Sequence, residues 1–363
     1  MIVVEILFWV SLGAIVWTHV GYPALLPVLG RLAPRRIRAA DHTPSVSVII
    51  AAHNEEAVIG RRIENLLALD YPRDRLEIVV TSDASTDRTE ELAENAGARV
   101  IRNPRGGKVA AQDRAVRETS SDLVAFSDAN ATWAPDALRK LVRPFADPDV
   151  GYVCGQLRLQ AADGSNQEGL YWRYEMAIRA AESRLGSITG GNGSIYALRR
   201  SDYVEVDPRF GHDLSLPYLM VQHGRRAVYE PDALAFERPT PTNETEYRRK
   251  VRMFEHCWLI VLRGRMLRGL GPLYMSELIT HRHLRYASGL LHLVLLATSL
   301  ALVLQGWFFA AVLAAQLLLL LAAAAGVAIA RYYVLVTWAT VVALWNYVRR
   351  GVPATWEAAE GTR

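Results

Sequence analysis

The chain has 363 residues, enough for about two domains, and 51% of them are hydrophobic. Its net charge is only +4, which gives no global signal for nucleic acid binding. The basic residues cluster beside the apolar segments instead. Two cysteines, Cys154 and Cys257, are too far apart for a CxxC pair and exclude a disulfide framework, so we expect inert thiols in a reducing compartment.

Residues 1–30 predict an N-terminal transmembrane helix. Glu5 is the sole charged residue between Ile2 and Leu29, and this stretch is long enough to cross a bilayer. It lacks the basic region and the cleavage site of a signal peptide. The arginines of segment 31–38 follow it, so by the positive-inside rule we expect a multi-pass protein of the cytoplasmic membrane whose soluble part faces the cytoplasm.

Residues 45–262 have the composition of a soluble α/β domain. The predicted strands are 46–50, 76–80, 99–102 and 123–126, and the predicted helices between them are 57–68, 89–96 and 109–118. This alternation predicts a mostly parallel sheet flanked by helices. Each strand ends in a polar loop, and ligands bind beyond the carboxyl ends of such strands, so we expect the site at that edge.

The pattern then becomes less regular. We predict a strand at 152–159, a flexible loop at 189–194, and helices at 168–183, from 211 onwards and at 244–262. Residues 263–285 read either as amphipathic interfacial helices or as an ordinary cytoplasmic flank.

The C-terminal transmembrane region, 286–348, has two or three segments with a hinge near 305–307, and a short tail, 349–363, follows it. Three full spans would leave Arg349 and Arg350 outside, which the positive-inside rule disfavours. Either the last segment is re-entrant or interfacial, or the rule fails here.

The strand at 123–126 ends in Ser127-Asp128-Ala129-Asn130. A carboxylate and an amide two residues apart can face one point in space, and such an oxygen-rich pair suits a divalent cation that grips a diphosphate. The alternative is a strand followed by an Asx turn.

Three motifs resemble the family 2 glycosyltransferases. Segment 46–55, VSVIIAAHNE, looks like the first strand of this family. Segment 82–89, SDASTDRT, resembles the family's second signature. Segment 127–130 stands where the family carries its DXD metal motif. The resemblance covers about residues 45–262, and together the first two motifs are specific. It implies a GT-A fold, a nucleotide-sugar donor, a divalent metal and an inverting transfer.

The resemblance also implies a donor pocket. Glu55 and Asp83, at adjacent strand tips, would accept hydrogen bonds from uracil or ribose, and Ala51 and His53 would line the pocket. Glu55 reads alternatively as an acid at a helix N-terminus, and Asp83 as a turn cap.

The departing diphosphate needs compensating charge. Positive charge would come from Mg²⁺ or Mn²⁺ bound to Asp128 and Asn130, from Lys108 after two glycines, and from the guanidinium groups of Arg249 and Arg252. Lys108 reads alternatively as a solvated loop lysine, and the arginines as a helix face beside anionic lipid headgroups.

Two residues depart from the family pattern. Asn130 replaces the second acid of DXD, which lowers the expected metal affinity or turns Asn130 towards the sugar. Processive synthases carry Gln-x-x-Arg-Trp where this chain has segment 249–253, which keeps Arg252 but ends in Met253. The missing aromatic residue favours one or a few additions over processive synthesis.

The general base is expected at Asp213, which matches the family's catalytic acid in position. Helix capping is its alternative role. The preceding residue, His212, reads as a packing or solvent histidine, or as one that tunes Asp213.

The acceptor site is expected at the glycine-rich segment formed by Gly191, Asn192 and Gly193, with Trp172 and Tyr174 stacking on a sugar. Each aromatic residue reads alternatively as a core residue of its helix.

These features predict a membrane-bound inverting hexosyltransferase that moves UDP-hexose or UDP-N-acetylhexosamine units to a glycan or lipid-linked acceptor in cell-surface polysaccharide synthesis. One alternative is a polyprenyl-phosphate glycosyltransferase. The other is a non-catalytic membrane subunit that binds nucleotide and regulates a partner. A nucleotidyltransferase is disfavoured, because segment 51–55 supplies no glycine-rich phosphate loop.

Overall fold

The computed structural model describes residues 1–160, 170–239 and 243–355. The strands in these residues are β1 (Val46–Ala52), β2 (Leu76–Asp83), β3 (Arg99–Asn103), β4 (Leu123–Ser127), β5 (Thr132–Trp133), β6 (Val150–Leu159), β7 (Tyr196–Arg199) and β8 (Arg226–Glu237). The helices are α1 (Ile2–Val16), α2 (Tyr22–Leu32), α3 (Ile59–Leu67), α4 (Thr89–Asn95), α5 (Lys108–Glu118), α6 (Ala137–Val142), α7 (Leu170–Leu185), α8 (His212–Gln222), α9 (Asn243–Arg263), α10 (Pro272–Leu278), α11 (Arg285–Leu302), α12 (Trp307–Ala324) and α13 (Ala328–Arg350). The helix start predicted at residue 168 lies outside the described residues.

The chain divides into two compact units. The helical unit comprises Met1–Leu26, Thr242–Arg263 and Met275–Val352, and the sheet unit comprises Pro27–Pro241, Gly264–Tyr274 and Pro353–Arg363. Helix α9, assigned from sequence to the soluble domain, therefore groups with the apolar helices. The segment that follows α13 returns to the sheet unit.

The eight strands form one sheet in the order β3-β2-β1-β4-β7-β6-β8-β5. Strands β1 to β4 pair in parallel, as predicted, and every residue of β1 is buried. A central parallel strand is covered on both faces, which explains its unbroken apolar sequence. The other half of the sheet is mixed. The α/β class with flanking helices is confirmed, but the parallel order holds only in the half formed by β1 to β4.

The direction of the remaining strands decides which residues reach the functional edge. Strand β7 runs antiparallel to both β4 and β6, so β6 recovers the direction of β4, and β8 is parallel to β6. The carboxyl end of β8, Glu237, therefore lies at the same edge as those of β1 to β4. The loop 190–195 that enters β7 lies there too.

The sequence analysis missed β8. Its middle carries Glu230, Pro231 and Asp232, and the pairing with β6 shifts there: Cys154 pairs with Tyr229, whereas Gln156 pairs with Leu234. Proline interrupts a strand except at edges and bulges. The bulge therefore explains why this long strand carries no continuous alternating pattern.

Within the part of the chain that the structure describes, four helical segments are long and apolar enough to span a membrane: Ile2–Leu32, Pro272–Leu302, Trp307–Ala324 and Ala328–Arg350. The break between α11 and α12 falls at residues 303–306, beside the predicted hinge. Large apolar side chains on these helices are exposed, including Leu304 and Trp307. This exposure suits a lipid solvent.

Helix α13 runs antiparallel to α11. His292 contacts Tyr333, whereas a Cβ on the earlier residue Gly289 would overlap the carbonyl oxygen of the later residue Thr337. The last turn of α13 pairs Arg350 with Glu255, whose neighbour on α9, Phe254, packs against Tyr286. The basic ends of α11 and α13 therefore lie together.

Candidate donor and catalytic site

Asp83, at the tip of β2, is buried and holds the loop before α5. Its carboxylate accepts hydrogen bonds from the backbone N–H groups of Gly106 (2.7 Å) and Gly107 (3.0 Å) and from the guanidinium of Arg105 (2.8 Å). These contacts use most of the acceptor capacity of a carboxylate. Asp83 thus orders the predicted phosphate-binding loop, and its contact with a base or ribose stays a prediction.

Gly107 has a backbone conformation that favours glycine, with φ of +93°. It is also covered by the segment that follows α13. A Cβ at this position would overlap the carbonyl group of Ala354. Position 107 therefore requires glycine for two reasons, its positive φ and the lack of space for a side chain. It directly precedes Lys108.

Lys108, the first residue of α5, forms an ion pair with Asp128 in the turn after β4. Burial alone would lower the pKa of Lys108, but the charges of Asp128, Asp213 and Glu237 together raise it. The ammonium group therefore stays protonated at neutral pH. The three carboxylates that act on it mark the centre of the site.

Glu237 is a site residue that the sequence analysis missed. Ser194 donates hydrogen bonds to Glu237 and, at 3.4 Å, to Oδ2 of Asp128, so the two carboxylates lie on either side of one hydroxyl group. A Cβ on Gly193 would lie 3.2 Å from Asp128 and 3.4 Å from Lys108 Nζ. Gly193 therefore borders this cluster, as expected for a residue of the glycine-rich segment.

Arg62 of α3 is a second cation that interacts with the carboxylates of Asp128 and Glu237. The residue is 2% exposed and donates a hydrogen bond to Ser127 Oγ at 2.8 Å, and its guanidinium stacks over the ring of Trp133. Burial lowers the pKa of Arg62 to about 9, and Asp128 and Glu237 oppose this effect. Arg62 therefore remains charged and stabilises the anionic side of the site.

We expect Arg62→Met to lower the free energy of unfolding by about 1–3 kcal/mol, because it removes a buried charged hydrogen bond to Ser127 and the stacking on Trp133. The measurement is thermal or denaturant unfolding of the detergent-purified protein. Arg61→Met is the matched control: Arg61 is exposed on the same helix and should change stability by less than about 0.5 kcal/mol. Equal effects of the two substitutions would refute the assigned role of Arg62.

Asp213 lies in the first turn of α8, and Gly211 occupies the N-cap position that sequence analysis offered to Asp213. A Cβ on Gly211 would lie 2.5 Å from Asp213 Oδ1, so the glycine leaves room for the carboxylate. The carbonyl of Asp213 accepts a hydrogen bond from Gly191 N–H at 2.6 Å. The candidate base and the glycine-rich segment are thus joined directly.

His212, beside the candidate base, is a core histidine. Tyr196 OH contacts its Nδ1 at 2.9 Å, and Tyr203 OH lies 3.3 Å from its Nε2. Burial, aided by Lys108, lowers the pKa of His212 to about 3, so the ring is neutral at physiological pH. Tyr203 in turn donates a hydrogen bond to Asp113 at 2.5 Å. His212 therefore packs beneath Asp213 without adding charge.

Burial raises the pKa of Asp113 to about 6, although the hydrogen bond from Tyr203 opposes this. The folded protein thus binds this proton more tightly than the unfolded chain, so the contribution of Asp113 to stability falls as pH rises from about 4 to 6. Asp113→Asn should be more stable than the parent by about 1–2 kcal/mol at pH 8, and equally stable near pH 4. Unfolding midpoints across this pH range test the sign, with Glu118→Gln, an exposed change on the same helix, as control.

The side chain of Asn192 holds the glycine-rich segment in place, and the contact of this segment with an acceptor stays a prediction. Its amide donates to the carbonyl oxygen of Gly155 at 2.8 Å and accepts from the N–H groups of Ser194 and Ile195, each at 3.0 Å. Asn192 thus faces the protein and anchors the segment. Gly191 also lacks space for a side chain, since a Cβ there would overlap the hydroxyl of Tyr152.

Trp172 and Tyr174 of α7 are half-buried. Trp172 donates from Nε1 to the carbonyl oxygen of Leu157 at 3.1 Å and packs against the hydrophobic core. This contact fits its alternative reading as a core residue. Tyr174 is partly exposed on the same helix, and its contact with an acceptor stays a prediction.

The first strand positions the remaining donor-site residues. Ala51 is buried in β1, and Nδ1 of His53 lies 2.8 Å from the carbonyl oxygen of Asp83. Glu55 is buried, and its carbonyl accepts hydrogen bonds from the N–H groups of Val58 and Ile59, at the start of α3. The structure thus brings the tips of β1 and β2 together, as predicted.

Arg249 and Arg252 lie on α9 in the helical unit. Arg249 forms a two-point ion pair with Glu246 on the same helix, at 2.8 and 2.9 Å. Their action on a pyrophosphate stays a prediction.

The residues at the sheet edge fit a hard divalent cation. Asp128, Asn130 and Glu237 offer oxygen ligands, and the side chains of all three are partly accessible. Across residues 1–160, 170–239 and 243–355, no group of three His, Cys, Asp or Glu side chains would hold a metal alone. Mg²⁺ is commonly held by one or two carboxylates together with substrate phosphates. This arrangement therefore suits a cation that binds with the diphosphate.

Comparison with known proteins identifies the class. The family model for glycosyl transferase family 2 matches residues 47–206. An N-acetylglucosaminyltransferase of Rhizobium meliloti is 30% identical over 294 residues, 70% of this chain and 67% of that protein. A beta-monoglucosyldiacylglycerol synthase of Synechocystis is 32% identical over 214 residues, 53% of this chain and 44% of that protein. The chain therefore belongs to the family 2 glycosyltransferases.

A solved structure supports the fold. A Pyrobaculum calidifontis mannosyltransferase, in complex with GDP-Man and Mn²⁺, matches with a TM-score of 0.74 and 23% identity over 94% of this chain and 99% of that chain. The likeness confirms the GT-A type of fold expected from the motifs. The chain spans about half the length of most of the curated relatives it matches.

Proposed function

We propose that the chain is a membrane-bound, metal-dependent, inverting glycosyltransferase. It would move a hexose or N-acetylhexosamine from a UDP-sugar to a glycan or lipid-linked acceptor in cell-surface polysaccharide synthesis. The observation that carries the proposal is the cluster at the carboxyl edge of the sheet, where Lys108 pairs with Asp128 and the Ser194 hydroxyl joins Asp128 to Glu237. The names of the two relatives favour an acceptor hydroxyl on a lipid or a sugar.

The donor would bind across the tips of β1, β2 and β4. The loop held by Asp83 brings the N-terminus of α5 to this edge, and a helix N-terminus attracts phosphate oxygens. Lys108 would exchange its contact with Asp128 for the diphosphate. A Mg²⁺ or Mn²⁺ ion held by Asp128, Asn130 and Glu237 would neutralise the negative charge of the departing nucleoside diphosphate.

The chain's own residues would then deprotonate and orient the acceptor. In an inverting transfer, the acceptor hydroxyl attacks the anomeric carbon as the bond to the diphosphate breaks. Asp213 would accept the hydroxyl proton, because its backbone carbonyl is hydrogen-bonded to Gly191 N–H, which places the residue beside the glycine-rich segment. The neutral His212, its neighbour in sequence, adds no positive charge beside it.

The proposed location is the cytoplasmic membrane, with the sheet unit on the cytoplasmic side. The basic ends of α11 and α13 lie together, and segment 31–38 adds further arginines. Clustered arginines beside apolar helices mark a cytoplasmic face.

The test is a panel of UDP- and GDP-sugars presented to the detergent-purified protein with Mn²⁺, Mg²⁺ or a chelator. We expect hydrolysis of one UDP-sugar that stops when the chelator removes the metal. Hydrolysis that is unaffected by chelation would refute the metal requirement, and preference for a GDP-sugar would refute the donor base. Nucleotide binding without turnover, given any acceptor extract, would favour the non-catalytic alternative.

A further inference from the structure

A lipid-facing crevice lies within the helical unit. It is a cavity of about 130 Å³ between α11, α12 and α13, with one side open. Most of its wall is apolar, and Leu293 and Leu320 at its border are also partly exposed. In a membrane, the open side would face lipid chains.

One wall of the crevice is polar. His292 Nε2 lies 2.8 Å from Tyr333 OH, and Gln316 bonds to the same imidazole and donates to Ser299 Oγ at 3.3 Å. Polar groups within apolar helices are rare and concentrate at functional sites. Some such groups only join helices. Here His292, Gln316 and Tyr333 all line an open cavity, and a glutamine amide has more hydrogen-bonding capacity than these two contacts use.

The polar wall carries no formal charge at neutral pH. The described residues that line the crevice include none of Lys, Arg, Asp or Glu. An anionic phosphate headgroup would lose its hydration here without gaining a cation. Hydroxyl and ester groups, in contrast, match the amide, imidazole and phenol, which donate and accept hydrogen bonds.

The depth of the crevice also suits such a ligand. His292 lies seven residues after Arg285, the basic start of α11, which corresponds to about 10 Å along a helix. The polar wall therefore lies below the charged end, where the glycerol and ester groups of a lipid meet its acyl chains.

We propose that this crevice binds a neutral glycerolipid with a free hydroxyl, of the diacylglycerol type. Its glycerol and ester groups would bond to the amide of Gln316, and one acyl chain would lie along Leu320.

The test uses the full chain in nanodiscs with two photoreactive probes. One is a diacylglycerol with a diazirine in an acyl chain, and the other is a polyprenyl phosphate with a diazirine in its prenyl chain. Labelled peptides are mapped by mass spectrometry, with unlabelled diacylglycerol as competitor. We expect competed diacylglycerol labelling on α11 to α13, and weaker labelling there by the polyprenyl phosphate.

Two substitutions test the crevice, and a third serves as their control. Leu320→Trp fills the crevice and Gln316→Leu removes a polar contact, and each should weaken diacylglycerol competition by about fivefold or more. Leu321→Trp changes the next residue, which is 64% exposed and outside the crevice, and should leave competition unchanged. Equal effects of the two tryptophans, or stronger labelling of the crevice by polyprenyl phosphate, would overturn the inference.

Donor hydrolysis by the unsubstituted protein separates this inference from the proposed function. Hydrolysis without competed diacylglycerol labelling would overturn the lipid site alone. Competed labelling without hydrolysis of any nucleotide sugar would support the lipid site and refute the enzymatic function.

Discussion

Asp213→Asn should lower kcat for sugar transfer by about 100- to 10,000-fold, because asparagine cannot accept the proton of an acceptor hydroxyl. The substitution preserves shape, and Gly211 still leaves room for the side chain. Donor affinity should change little, since Asp213 acts on the acceptor. The measurements are transfer kinetics and calorimetric titration of UDP into both proteins with Mn²⁺ present.

Glu205→Gln is the control for this prediction, since Glu205 is an exposed acid paired with Arg117 on the same unit. It should retain parental turnover. Turnover retained by Asp213→Asn would refute the base. If the variant kept activity only towards polyprenyl phosphate, the alternative acceptor would be favoured, since a phosphate needs little deprotonation.

Asp128→Asn should lower turnover by about 100- to 1,000-fold through loss of electrostatic stabilisation of the leaving group. The change removes the expected metal carboxylate and the partner of Lys108, whose ammonium would then turn towards Glu237 and Asp213. We therefore expect weaker UDP binding in Mn²⁺ and a loss of its Mn²⁺ dependence. Titrations of UDP with Mn²⁺ and with chelator measure both effects.

Asp136→Asn provides the matched control, because Asp136 is 50% exposed and pairs with Lys140 on one helix. Exposed pairs of this kind contribute little. Unchanged Mn²⁺ dependence in Asp128→Asn would show that Asp128 does not hold the cation, and Glu237→Gln would be the next variant to measure.

The parallel half of the fold could be predicted from local pattern. Strands β1, β2 and β4 are short apolar runs that end in polar residues, and their helices follow within a few residues. Neighbouring parallel strands place their tips together, so Asp83 and Asp128 could be assigned to one edge before the structure was known.

Glu237 and Arg62 could not be predicted in the same way. Glu237 reaches the edge only because two antiparallel steps restore the strand direction, and Pro231 hides the strand that carries it. Arg62 lies on a helix whose sequence also offers Arg61, and packing alone decides that Arg62 points inward. Both positions depend on long-range pairing, which local sequence does not record.

The contact between Gly107 and Ala354 has a consequence for mutagenesis of the nucleotide loop. Any side chain at position 107 would displace the backbone after the last apolar helix as well as strain the loop itself. Loss of activity in Gly107→Ala would therefore combine two causes. Substitutions of Lys108 act on the ionic cluster without this steric conflict, so they are the cleaner way to measure what the loop contributes to diphosphate recognition.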